Sequence, residues 1–234
     1  MESTKSKEIL QEVKRCHKEL NKLKNDTKLW LMSENDYGTE SKQKVTAIFA
    51  TFEKLCIIED ETVGSFSKPG DGMFDADKFG FRRKKDDFLL FDMPDIKVNK
   101  ESQRLMRDFG IGEIALFFVK QKVDRQTNHN EDYKSMIKQC YWFLTAFARE
   151  NLQNQLRVYD DLEYFMRDFD KYQCATILVY EIFKDNKKFL TLNVSKFIRN
   201  IVNSSEEMEI NTAMKSNYLR LLRIFIKLFD KKVR

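Results

Sequence analysis

Proline and glycine are scarce, at 2 and 7 of 234 residues. That shortage excludes collagen-like and mucin-like chains and disfavours sandwiches of many short strands, which need frequent turns. Long apolar runs are missing too. The longest, Ile114 to Val119, is far short of the ~20 residues that a membrane-crossing helix requires, and the opening MESTKSKEIL is charged where a signal peptide would be apolar. A soluble chain with no membrane span is expected. Histidine is limited to His17 and His129, and neither stands at a metal-ligand spacing from a Cys, His or carboxylate. Cysteine is limited to Cys16, Cys56, Cys140 and Cys174, with no C-x-x-C. Each lies in an apolar helical pattern, as buried reduced thiols do.

What remains is a charged, aromatic-rich chain that is long enough to bury about 70–75% of its unfolded surface without crosslinks. Charged residues make up 34%, and the net charge of +5 is too dispersed to indicate nucleic-acid binding. From Ile9 an apolar stripe passes through Val13, Cys16, Leu20, Leu23, Thr27 and Trp30 in steps of four and three. Residues 1–32 therefore read as an N-terminal amphipathic helix packing on the rest of the fold, with self-association along the seam as the alternative. A Ser/Asn/Asp/Gly break at 33–39 follows. A second helix over 41–60 carries a wider face of Val45, Ile48, Phe49, Phe52, Leu55 and Cys56.

Residues 62–97 hold both prolines, four glycines, the basic run Arg82-Arg83-Lys84-Lys85 and six phenylalanines. This is a long irregular loop, too aromatic for a solvated linker. Beyond it, helices are predicted over 100–109, 111–122, 131–149, 152–167, 171–184, 192–202 and 213–231. Gly110, Thr127-Asn128-His129-Asn130 and Asn203-Ser204-Ser205 supply the breaks. Helix pairs recurring every 35–45 residues predict an all-α fold, an armadillo/HEAT-like α-solenoid of stacked hairpins over 41–234, with a compact bundle as the alternative.

The chemistry of catalysis is not apparent. Gly110-Ile111-Gly112-Glu113-Ile114-Ala115 has the form G-x-G-x-x-A, but it follows a helix rather than a strand and reads as a helix-to-helix corner. The adjacent acid pairs Asp86-Asp87, Asp160-Asp161 and Glu206-Glu207 diverge on regular structure. Tyr141-Trp142-Phe143, with Phe147, reads as core. No enzyme activity, cofactor or metal site is expected, and an all-α enzyme is the weakest reading. The last helix has a narrow basic stripe that includes Arg220 and Arg223. The remaining arc is apolar and includes Leu219, Leu222, Phe225, Ile226 and Phe229. A terminal repeat normally has a polar outer face, so this arc is the candidate protein-contact surface.

The stretches KESQRLMRDFGIGEIALFFVK, YKSMIKQCYWFLTAFARENLQNQLRVYDDLEYFM, ATILVYEIFKDNKKFLTLNVSKFIRNIVN and NYLRLLRIFIKLF resemble the RIH domain. That helical module is shared by inositol trisphosphate and ryanodine receptors, and the central RIH module of the former is the nearer likeness. The segment Asn151-Leu152-Gln153-Asn154-Gln155-Leu156 carries the likeness most specifically. Its Asn151, Asn154 and Gln155 are expected to act as structural caps at a hairpin corner. The resemblance runs from about Ser41 to Phe229 and finds no pattern across 62–97. It implies a cytosolic coupling segment of an intracellular ligand-gated calcium-release channel, with other channel domains or subunits as partners. It also implies a cytoplasmic location, of which the cytosolic face of the endoplasmic reticulum membrane is one. It carries over no ligand-binding residue and implies no nucleic-acid partner. The rival reading is a free-standing helical-repeat adaptor that binds another protein.

Overall fold

The computed structural model describes residues 4–26, 36–58, 97–121, 130–169, 171–184, 186, 199, 221 and 222. Every regular element among them is a helix: α1 (Thr4–Lys24), α2 (Asp36–Leu55), α3 (Lys100–Asp108), α4 (Ile111–Val119), α5 (Glu131–Ala148), α6 (Leu152–Tyr159), α7 (Leu162–Arg167) and α8 (Gln173–Phe183). The fold is all-α and solenoid-like. Three helices start in the same way, with an asparagine whose side-chain oxygen accepts the backbone N–H three residues on. Asn99 accepts from Ser102 at 3.1 Å, Asn130 from Tyr133 at 2.9 Å and Asn151 from Asn154 at 3.3 Å. Each cap satisfies one of the donors that a helix start leaves free.

The seam of α1 buries Val13, Cys16, Leu20 and Leu23, and α1 lies against α2, α3 and α4. The stripe is thus used within the fold, while Thr27 and Trp30 lie outside the described residues. Backbone bonds from Ile58 N to Lys97 O and from Asn99 N to Cys56 O, both 2.8 Å, place the end of α2 beside the start of α3. Gly110 turns α3 into α4 with φ at 67°, a left-handed conformation that costs glycine nothing sterically. Gly112 allows close approach: a Cβ there would stand 3.0 Å from the Phe147 ring.

Helix α5 is the centre, packed against α2 and α4 on one side and α6 and α8 on the other. Its last turns are wholly buried from Phe143 to Ala148, which places Tyr141, Phe143 and Phe147 in the core, with Trp142 partly buried. All four cysteines are free and buried.

Several boundaries differ from the sequence reading. The helix expected over 1–32 ends at Lys24, and the one expected over 41–60 ends at Leu55. The break expected at 33–39 is already helical from Asp36 and takes in Gly38, which is buried; tertiary packing outweighs the ~1 kcal/mol that glycine costs a helix. The helix expected over 152–167 is two helices, interrupted at Asp160-Asp161. Asp161 makes no side-chain bond to the helix start; its carboxylate is drawn instead into an ion pair with Lys120. Of the helices expected over 192–202 and 213–231, only Arg199, Leu221 and Leu222 are described. Leu221 is buried in the core, and Leu222 packs against it half-buried.

Candidate functional site

The densest polar chemistry lies where α5 turns into α6. Glu150 takes φ of 51° at this corner, and the backbone groups freed there need partners. Gln103, reaching in from α3, donates through Nε2 to the carbonyls of Ala146 at 2.8 Å and Arg149 at 2.9 Å. Its own oxygen accepts from Asn151 Nδ2 at 3.0 Å. Asn154 donates to the Phe147 carbonyl at 2.8 Å and accepts from Arg107 Nη1 at 3.1 Å. Gln155 donates to the Glu181 carbonyl at 2.8 Å and accepts from Asn186 Nδ2 at 3.0 Å. Gln103, Asn154, Gln155 and Asn186 are all buried. Of the three residues read as caps, Asn151 caps α6, whereas Asn154 and Gln155 fasten α6 to α3, α5 and α8.

Beside this junction Arg149 and Glu181 form an ion pair, with side chains only 4% and 2% exposed. Arg149 Nη2 lies 2.7 Å and Nε 3.1 Å from the same oxygen, Glu181 Oε1. Among the described residues the other oxygen, Oε2, accepts no hydrogen bond. With both donors on one oxygen and the other oxygen without a donor, the attraction does not fully offset the desolvation of two charges, so the pair fixes arrangement more than it adds stability.

The other buried ionisable groups point the same way. Tyr141 donates to Asp168 Oδ2 at 2.6 Å, and burial raises the Asp168 carboxyl above its usual range. Burial pushes Glu53, on α2, up to about 7; the bond from Gln139 of α5 opposes that rise. Burial also pushes the Cys16 and Cys174 thiols up to about 12 and raises Cys56 and Cys140. Thiols so shifted are not nucleophiles at neutral pH. His17 contacts Asn21 at 2.7 Å and sets its ring edge-on to Phe109, as a packing residue does. No group of three His, Cys, Asp or Glu among the described residues could hold a metal. These side chains tie helices together and do not converge on a reacting atom.

Leu219, Arg220, Arg223, Phe225, Ile226 and Phe229 of the proposed contact surface lie outside the described residues. Sequence reasoning missed Gln103, Arg149, Glu181 and Asn186 as members of the junction. A signal existed for two of them: Arg149 closes the apolar run Phe143 to Ala148, and Glu181 interrupts the apolar stretch Ile177 to Phe183. Opposite lone charges in neighbouring apolar helices are candidates to pair.

A profile of the RIH domain matches residues 82–228. The match begins inside the phenylalanine-rich stretch and takes in every residue of the polar junction, while α1 and α2 precede it. The chain is also similar to the inositol 1,4,5-trisphosphate receptor itr-1 of Caenorhabditis elegans, with 24% identity over 146 residues. That alignment covers 59% of this chain and 5% of the receptor, so the chain matches about one twentieth of its relative's length.

Proposed function

Since the chain belongs to the RIH domain family, we propose that it serves as a cytosolic coupling module of an intracellular calcium-release channel of the inositol trisphosphate and ryanodine receptor kind. In this reading it is a contact and transmission element, and ligand sensing and ion conduction fall to other parts of the assembly. The observation that carries the proposal is the family match over 82–228, which contains the whole polar junction. Packed helices shift as units because cores are close-packed and rearrange discretely, not continuously. Buried polar ties that specify one arrangement suit an element that passes on displacement and carries out no chemistry. No helix among the described residues is long and apolar enough to cross a membrane.

Its partners would be other channel domains or subunits, met through the apolar arc of the last predicted helix: Leu219, Leu222, Phe225, Ile226 and Phe229, with Arg220 and Arg223 alongside. Crosslinking with mass spectrometry on intact membranes from the source cells tests this directly. The expected result is crosslinks from this chain to segments of a calcium channel, lost when Phe225 and Ile226 are replaced by Asp. Crosslinks confined to proteins outside any channel assembly would overturn it and favour an adaptor.

A further inference from the structure

The outer face of α1 is not an ordinary mixed-charge surface. Lys7, Lys14, Lys18 and Lys22 are all exposed, and with Gln11 they follow one another at steps of four, three, four and four. At about 100° per residue they share one arc of roughly 80°, and at 1.5 Å per residue they run for about 22 Å. None of the four side chains has an ion-pair or hydrogen-bond partner among the described residues. The acids of the helix, Glu8, Glu12 and Glu19, all stand on one flank of this rail, outside the arc. Arg15 lies between two of them, at 2.6 Å from Glu12 and 3.8 Å from Glu19. Glu19, three residues before Lys22, is thus turned toward Arg15 and away from the rail. The lysine spacings Lys14–Lys18–Lys22 set like charges at i,i+4, which works against the helix. The opposite face is occupied, since Val13, Cys16, Leu20 and Leu23 are buried in the core.

The geometry points to this rail as a docking surface for a helix of a partner protein that bears a row of Glu or Asp side chains, with a basic row beside it. The length and spacing of the rail match side chains at i, i+4, i+7 on such a helix. The acidic flank decides between classes of partner. Arg15 offsets part of the charge of Glu12 and Glu19, but three carboxylates to one guanidinium leave the flank net acidic; a membrane or a nucleic acid presents negative charge broadly and would be repelled there, whereas a striped helix places its basic row against the flank. With the apolar face of α1 already buried, no apolar stripe is left for insertion into lipid. The proposal does not depend on the channel reading, because the rail would select the same partner chemistry in any assembly.

The test is fluorescence anisotropy of the 234-residue chain with a synthetic helix of ~20 residues, about the length of the rail at 1.5 Å per residue, bearing a Glu row beside a Lys row. A scrambled peptide of equal composition, phosphatidylserine vesicles and single-stranded RNA serve as competitors. Binding to the striped peptide is expected to weaken with salt. It should fall by about tenfold when Lys7, Lys14, Lys18 and Lys22 are all replaced by Glu. The reversed chain, checked for native helicity by circular dichroism, should in turn bind a peptide with the two rows exchanged. Equal binding of the scrambled peptide, unchanged affinity after reversal, or tighter binding to vesicles or RNA would each overturn the proposal.

Discussion

The two sides of α5 are held by different physics. Toward α2 and α4 the contact is aromatic: Phe49 meets Phe143 at a ring-centroid distance of 5.3 Å and Phe118 at 6.0 Å, and Phe143 meets Phe147 at 5.7 Å. Toward α6 and α8, and at the corner reached by α3, it is held by Gln103, Asn154 and the Arg149–Glu181 pair, while Gln155 ties α6 to α8. Phenylalanine contacts contribute area and dispersion, and they tolerate small shifts. Buried hydrogen bonds contribute little net stability but cost heavily when one partner is lost, so they exclude alternative arrangements. Both sides supply adhesion, since Tyr141 also meets Phe165 and Tyr172 and α8 buries Ile177, Leu178, Val179 and Ile182; the side toward α6 and α8 adds register.

The contrast is open to attack from both sides. Replacing Arg149 with Leu leaves Glu181 buried and unpaired and should cost about 3–5 kcal/mol in urea denaturation. Replacing Glu181 with Leu as well should recover most of it. If the double variant is as unstable as the single one, the pair is not an isolated unit.

Glu53 is the exception on the aromatic side, a buried carboxyl facing α5. Its carboxyl sits at about 7 in the folded protein against an ordinary 4.5, so the folded state holds a proton that the unfolded state releases. The resulting stabilisation is complete below 4.5 and is lost as pH rises through about 7, a change on the order of 3 kcal/mol. Thermal melts across that range should show this loss in the natural chain and not in Glu53→Gln. On the polar side, Asn154→Ala removes the bond to the Phe147 carbonyl and leaves that group unsatisfied, at a cost of about 2 kcal/mol. On the aromatic side, Gly112→Ala presses a methyl against the Phe147 ring at 3.0 Å; the ring can yield, so the expected loss by thermal denaturation is only about 1 kcal/mol.

The helices were readable wherever apolar period and cap agreed. Asn130 and Gly110 mark boundaries that the structure keeps to within a residue, because cap chemistry is local. Asp160-Asp161 was not read as a break, since Val158, Leu162 and Phe165 continue an unbroken helical spacing across it. The role of Asn151 was visible because a cap acts within three residues. The cross-helix roles of Asn154 and Gln155 were not, since their partners Arg107, Glu181 and Asn186 lie 47, 26 and 31 positions away. Sequence periodicity says which face of a helix is buried, but it does not say which distant polar groups meet there. The lysine rail was hidden for a similar reason. A net charge of +5 looks dispersed along the chain, and only the helical arc separates the lysines from the glutamates.

The claim that the polar junction binds α3, α5, α6 and α8 into one mechanical unit is tested most directly by native-state hydrogen exchange. The slowest-exchanging amides of all four helices should share a single opening free energy and the same dependence on denaturant. A short α6 that opens many-fold more often than α5, with Gln103, Asn154 and Gln155 intact, would contradict it.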